Sequence, residues 1–285
     1  MNGTTIQIYL FAALSGVILT SPIGHTKTHN KEPDGYEFKT ILRNHQFSRD
    51  KEQEAIGQFS DFINKIPGIS MEQITKKRER IISYIDTKDC DLLQNKYILR
   101  KRFNLHNKLP HSLAITLKFR GIDPSEASQK TYHANPYEAM TKTKYESDIL
   151  INESSKIQKN YSYSGSIEMG KIKRISDLER LYPILKQVGI KKSKKLVNVN
   201  NFTALETNIE LGTIKIEEQK CKASLNFWRD TSSKSQLLLS EFSFKCKNHS
   251  DNAERLQSTI AMNQKWSNQL ATLKTSFAYG NFCKK

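Results

Sequence analysis

Arg100 and Arg102, Lys118 and Arg120, and Lys144, Glu146 and Asp148 stand two residues apart on three separate stretches of this chain. A spacing of two sets side chains on one face of an extended strand. In residues 97–105, Tyr97, Leu99, Lys101, Phe103 and Leu105 alternate with Arg100, Arg102 and Asn104. In 114–120, Ile115, Leu117 and Phe119 oppose Thr116, Lys118 and Arg120. In 144–151, Tyr145, Ile149 and Ile151 oppose Lys144, Glu146 and Asp148. A single strand of this kind needs only one wet face and one buried face. Its recurrence on three strands points to charged faces converging on an enclosed space. Clustered Lys and Arg would neutralise a polyanion, and the neighbouring carboxylates would hold its metal ions.

The chain as a whole leans the same way. It has 285 residues and a formal net charge of +16. Such a surplus suits an anionic partner: nucleic acid, a phosphorylated metabolite, polyphosphate or an acidic membrane surface. The competing explanation is a merely solubilising surface. The Lys-rich run at 191–195 reads as a solvated patch, so no specific nucleic-acid partner is expected. Other chemistries lack their patterns. Of the seven histidines only His25 and His29 have HxxxH spacing, and they fall in the polar stretch read as a linker; no serine sits in a GxSxG elbow, and no P-loop occurs.

Residues 1–24 read as a signal peptide, with an uncleaved anchor as the alternative. The apolar run at 6–19 is shorter than the ~20 residues that span a bilayer and fits an h-region. No later stretch has spanning length, so the mature chain carries no expected transmembrane segment. Export follows as the expected location, periplasmic or secreted. Cys90, Cys221, Cys246 and Cys283 include no CxxC pair, which argues against zinc. Cys221 and Cys246 lie on the apolar faces of adjacent predicted strands, and are expected to pair if the protein is exported.

Around these residues the chain must build a β structure. Residues 25–34 read as a linker. A strand is expected at 36–42, and a helix at 50–65 that stops at Pro67 and Gly68. Ser70, with Gln73 three residues on, predicts the cap of a second helix, followed by a strand ending at 84–87. Residues 124–140 read as loop with some helix, and 165–170 as a break. Ser176 and Glu179 predict a capped helix to 188. Strands are expected at 194–199, 203–211, 213–228 (whole, or broken by a turn or bulge) and 238–247, and a last helix at 251–275. The expected fold is α+β and mainly β: an eight-stranded antiparallel barrel or tunnel with a charged lumen and flanking helices. The tunnel domain would span 35–249, with 250–285 packing on it.

Four segments also resemble the CYTH domain, or triphosphate tunnel metalloenzyme, family. They are YIDTKDCDLLQNKYILRKRF (84–103), SLAITLKFRG (112–121), KYESDI (144–149) and LLLSEFSFKCK (237–247). The resemblance implies an eight-stranded tunnel that binds a triphosphate or polyphosphate, in a family of triphosphatases and class IV adenylyl cyclases. It implies that Lys39, Arg100, Arg102, Lys118 and Lys144 hold phosphate oxygens, with Arg120 beside them on the same face. It implies Mg²⁺ or Mn²⁺ on Glu37, Glu146, Asp148 and Glu241, with Glu146 and Glu241 central to catalysis. The implied activity is a metal-dependent phosphohydrolase, with a non-catalytic polyanion binder as the alternative. Three departures stand out. Gly35 occupies the first acidic position of the family's ExExK motif, Ser243 follows Glu241 at the next inward position, and Asn198 occupies a position that is usually basic.

Overall fold

The structure is a computed structural model that describes residues 31–48, 51–105, 113–130, 132, 140–151, 156–168, 172–233, 236–267 and 278–283. The segment read as a signal peptide lies outside the described residues. Nine strands close into one barrel among them. The strands are β1 (Gly35–Leu42), β2 (Ile69–Thr87), β3 (Tyr97–Asn104), β4 (Leu113–Gly121) and β5 (Met140–Ile151). They continue with β6 (Ile157–Glu168), β7 (Leu196–Ile216), β8 (Gln219–Asp230) and β9 (Leu237–Cys246). The order around the barrel is β1-β5-β6-β4-β3-β2-β7-β8-β9. Helices α1 (Glu52–Asn64), α2 (Asp91–Gln94), α3 (Pro124–Ser128), α4 (Ile175–Leu181) and α5 (Asp251–Met262) lie between and after the strands.

The expectation of eight antiparallel strands is corrected to nine strands in a mixed barrel. An odd number of strands cannot alternate direction all the way round, so one neighbouring pair must be parallel. That pair is β1 and β5, with Gly35 opposite Glu146 and Lys39 opposite Leu150. The Gln257 amide on α5 bridges this seam, donating to the carbonyls of Lys39 and Ile149, both at 2.8 Å.

The helix expected from Ser70 is a second correction, because residues 69–87 form one long strand. Ser70 and Gln73 look like a capping box only locally. Pairing with β7 from Ile69–Ile216 to Thr87–Leu196 overrides that preference. β6 was not anticipated. Its inward face is Ser162, Ser164 and Ser166, and Gly165 on the other face reads as a break. The segments expected as separate strands at 194–199 and 203–211 are a single strand, β7, which also extends to Ile216. The helix expected from Ser176 begins two residues earlier, with Arg174 at the cap and Asp177 closing the box, and stops before Pro183. The final helix ends at Met262, and 268–275 fall outside the described residues.

The outward faces carry the core. Phe38, Phe242, Phe244, Leu225 and Phe227 pack beneath α1 and α5 through Phe59, Ile63, Leu256 and Ile260. Leu99, Ile115, Leu117 and Tyr145 pack beneath Leu178, Leu181, Tyr182 and Leu185 of α4 and the turn after it. The Tyr182 hydroxyl fixes that second layer at the β4–β6 seam, lying 3.0 Å from the carbonyls of both Ile115 and Gly165. With the greasy faces committed outward, the polar faces have only the barrel interior. Cys221 and Cys246 form the expected disulfide across β8 and β9. Cys90 and Cys283 form a second, across 193 residues of sequence.

Candidate functional site: a cationic cup

Every strand contributes to one cavity of about 410 Å³ in the barrel. β1 supplies Glu37 and Lys39, β3 Arg100 and Arg102, β4 Lys118 and Arg120, and β5 Lys144 and Glu146, while β9 brings Glu241 and Ser243. The alternation read in the sequence therefore does converge these residues. Sequence reasoning missed Arg78 and Arg80 on β2, Glu206 and Asn208 on β7, and Ser224 and Asn226 on β8. The arginine pair had the same two-residue spacing as Arg100 and Arg102. Charges at Lys77 and Glu79 on the opposite face hid it. Nine cationic side chains face four carboxylates on the cavity wall, so the wall carries a large positive excess.

Asp148 is buried behind the wall rather than on it. Its Oδ1 accepts from Lys39 Nζ at 2.7 Å, and its Oδ2 from Lys118 Nζ at 2.8 Å and Arg120 Nη2 at 2.9 Å. Burial would raise its pKa, but Lys118, Lys39 and Arg120 together hold it well below the usual carboxylate range. One buried carboxylate thus aims three cationic heads. Lys39 also meets Glu37 at 3.0 Å. Burial pushes Lys39 down, yet Asp148 and Glu37 leave it above the ordinary lysine value. Lys118 goes the other way. Burial and the Arg120 and Lys39 charges outweigh Asp148, and its ammonium falls to about 8.

Glu146 is gripped by lysines. It accepts from Lys144 Nζ at 3.1 Å and from Lys245 Nζ on β9. Burial opposes ionisation, but Lys118, Lys144 and Lys245 bring it to about 2. Glu206 takes Arg80 as its close partner, lies 3.7 Å from Arg102 Nε, and accepts from the Trp228 indole at 3.2 Å. Even so, burial and the Arg100 and Arg80 charges pull Arg102 well below the usual arginine value. The Nε atoms of Arg100, Arg102 and Arg120 are buried with no hydrogen-bond partner. Buried donors are normally satisfied, so three orphan guanidinium donors in one cavity are an unmet demand for an acceptor.

The far end of the barrel is filled. Ile82, Tyr84, Ile98, Trp228 and Leu239 are buried in one apolar cluster with Ala278 and Tyr279. The Tyr279 ring meets Tyr84 edge-on at 6.1 Å, and its hydroxyl donates to the buried Asp86 at 3.2 Å. The Cys90–Cys283 disulfide ties this closing segment to the start of α2. The lumen is therefore a cup with an apolar floor. Asn198 pairs opposite Ile85 and is not part of the cavity wall.

The donor set does not fit a divalent cation. Such ions take several oxygen ligands at once. Among the described residues no three Asp, Glu, His or Cys side chains converge to provide them. Asp148 has both oxygens committed to cations, and Glu146 is held by two lysines.

No protein-family model and no curated protein matches the chain. Solved structures do. The putative adenylyl cyclase HpAC1 from Hippeastrum, described as having a dominant triphosphatase activity, aligns at 12% identity over 86% of this chain and 95% of its own, with a TM-score of 0.45. A putative adenylate cyclase from Bacillus halodurans aligns at 14% identity over 78% of this chain and 84% of its own, with a TM-score of 0.34. The Pct1 RNA triphosphatase of S. pombe aligns at 12% identity over 79% of this chain and 62% of its own, with a TM-score of 0.29. These are loose likenesses of fold. The chemistry of the site rests on this chain's own residues.

Proposed function

We propose that this protein is a divergent CYTH-type barrel whose cup binds a triphosphate or the end of a polyphosphate chain. One observation carries the reading: three buried Nε donors, on Arg100, Arg102 and Arg120, lack acceptors in a cavity with a large cationic excess. A triphosphate supplies several negative charges and a row of acceptor oxygens in a compact, linear form. Arginine forks match such oxygens in geometry as well as charge. Lys39, Lys118 and Arg120, aimed by Asp148, would take one phosphate, and Arg100 and Arg102 another. Lys144 stands beside them. Two disulfides suit an oxidising compartment, and export agrees with them.

The test is calorimetric titration with tripolyphosphate. The Arg100→Ala, Lys118→Ala double variant should stay folded and lose affinity strongly, since charge-assisted contacts contribute ~1.5–3 kcal/mol each. Unchanged affinity in a folded double variant removes these residues from the site.

A second reading is phosphohydrolysis, with Mg²⁺ or Mn²⁺ as the implied cofactor. It is favoured by Glu37, Glu146 and Glu241 on the cavity wall, which form no metal site among themselves but stand where they would meet an ion carried in with the phosphate. A phosphate-release screen with tripolyphosphate, ATP and long-chain polyphosphate, with and without these cations, separates turnover from binding. Under this reading Glu146→Gln should depress turnover far more than affinity.

A further inference from the structure

A lysine, Lys245, stands against Glu146 and beside position 35, where the family resemblance implies an acidic residue. Gly35 lies directly across the β1–β5 seam from Glu146. A Cβ at Gly35 would come within 2.5 Å of Lys245 Cε and 3.0 Å of the Cys246 carbonyl. The space that a side chain at position 35 would use is thus filled by the stem of Lys245. Lys245 sits opposite Glu37 on the neighbouring strand, and its ammonium ends on Glu146. Lys144 reaches the same Glu146 oxygen from β5. Missing side chain, intruding lysine and neutralised carboxylate are therefore one arrangement rather than three separate departures.

We propose that the Lys245 ammonium takes the place of a divalent cation beside Glu146, so that the cup binds metal-free condensed phosphate. The inference rests on the anion-cup reading above and gives it a specificity: the free anion, not its magnesium or manganese complex. The charge logic is direct. A fixed ammonium supplies positive charge next to the ligand, while a divalent ion carried in with the ligand would meet Lys245 and Lys144 at close range. Metal complexation also reduces the ligand charge that the arginines would otherwise meet.

The test uses the full chain and two measurements. In the first, tripolyphosphate is titrated in EDTA and again with excess Mn²⁺. Binding should persist in EDTA and weaken several-fold with Mn²⁺. Binding seen only with Mn²⁺ overturns the lysine inference and leaves the anion cup standing. Binding in neither condition overturns the cup itself. In the second, Mn²⁺ alone is followed by its spin-resonance signal. The native chain should leave it free. Lys245→Ala with Gly35→Glu should acquire a bound fraction, and Lys245→Ala alone should lose tenfold or more in EDTA affinity for tripolyphosphate. The single variant keeps the test valid if the double variant folds poorly. Tight Mn²⁺ binding by the native chain, or unchanged affinity in a folded Lys245→Ala, would contradict the proposal.

Discussion

On β2 the inward side chains run Arg78, Arg80, Ile82, Tyr84, and on β3 they run Arg102, Arg100, Ile98. β9 passes from Lys245 through Ser243 and Glu241 to Leu239, and β8 from Ser224 and Asn226 to Trp228. The same strands thus build two opposite interiors a few residues apart. At the floor, apolar side chains fill the barrel and need nothing from outside. In the cup, cations are gathered faster than carboxylates can neutralise them, and three guanidinium donors are left without acceptors. Floor residues should therefore govern stability and cup residues affinity. A cup cation should contribute little to the stability of the free protein, or even oppose it.

The largest break in that contrast should come from the floor. Trp228 is fully buried between Tyr84 and Phe202, with its indole on Glu206. Trp228→Ala should cost ~3–5 kcal/mol in denaturant unfolding, from lost burial and the cavity left behind. A loss below about 1 kcal/mol would show that the floor is not the structural half.

The disulfides sharpen the comparison next. The Cys90–Cys283 bridge closes the floor across 193 residues, while Cys221–Cys246 ties adjacent strands across 25. Serine pairs at Cys90 and Cys283 should destabilise by ~2–5 kcal/mol, and by about 2 kcal/mol more than serine pairs at Cys221 and Cys246 on the chain-entropy account. Equal losses in thermal unfolding would remove the special role of the closing segment.

In the cup the sign should reverse. Arg102→Met keeps volume, removes a buried cation crowded by Arg80 and Arg100, and leaves Glu206 its Arg80 partner. Stability should hold or rise by about 1 kcal/mol, while tripolyphosphate affinity falls by ~1.5–3 kcal/mol. A large stability loss would make Arg102 a structural residue.

Lys118 gives the smallest and most specific effect. Its ammonium titrates at about 8 in the folded chain, below the ordinary value of 10.5. The unfolded chain therefore holds this proton more tightly, and between those values its contribution to stability rises with pH. Binding runs the other way. A bound anion favours the charged lysine, so affinity is full below pH 8 and falls as pH rises, by on the order of tenfold from pH 7 to 9. Calorimetry across that range should reveal the fall in the native chain and a flatter profile in Lys118→Arg.

Much of this polarity was legible in the sequence, because a two-residue period states which face is which. Arg100, Arg102, Lys118, Arg120, Lys144 and Glu146 were all found that way. Arg78 and Arg80 were not, because charges on both faces of β2 erase the period and only pairing with β7 makes that segment a strand. β6 escaped because serines facing the lumen lack the contrast that marks a buried face. Asp148 was legible as an inward carboxylate but not as the hub behind Lys39, Lys118 and Arg120, since depth depends on which strands become neighbours. The role of Lys245 depends on a seam between β1, β5 and β9, strands far apart in the chain.

The central claim is that the orphan donors of Arg100, Arg102 and Arg120 await a condensed phosphate. Nuclear magnetic resonance of protein labelled with ¹⁵N at arginine Nε reads those donors directly. On saturation with tripolyphosphate, three Nε–H signals should shift strongly and exchange more slowly with water, and each should vanish in turn in Arg100→Lys, Arg102→Lys and Arg120→Lys. Saturable binding that leaves those three signals unmoved would place the anion elsewhere and contradict the account.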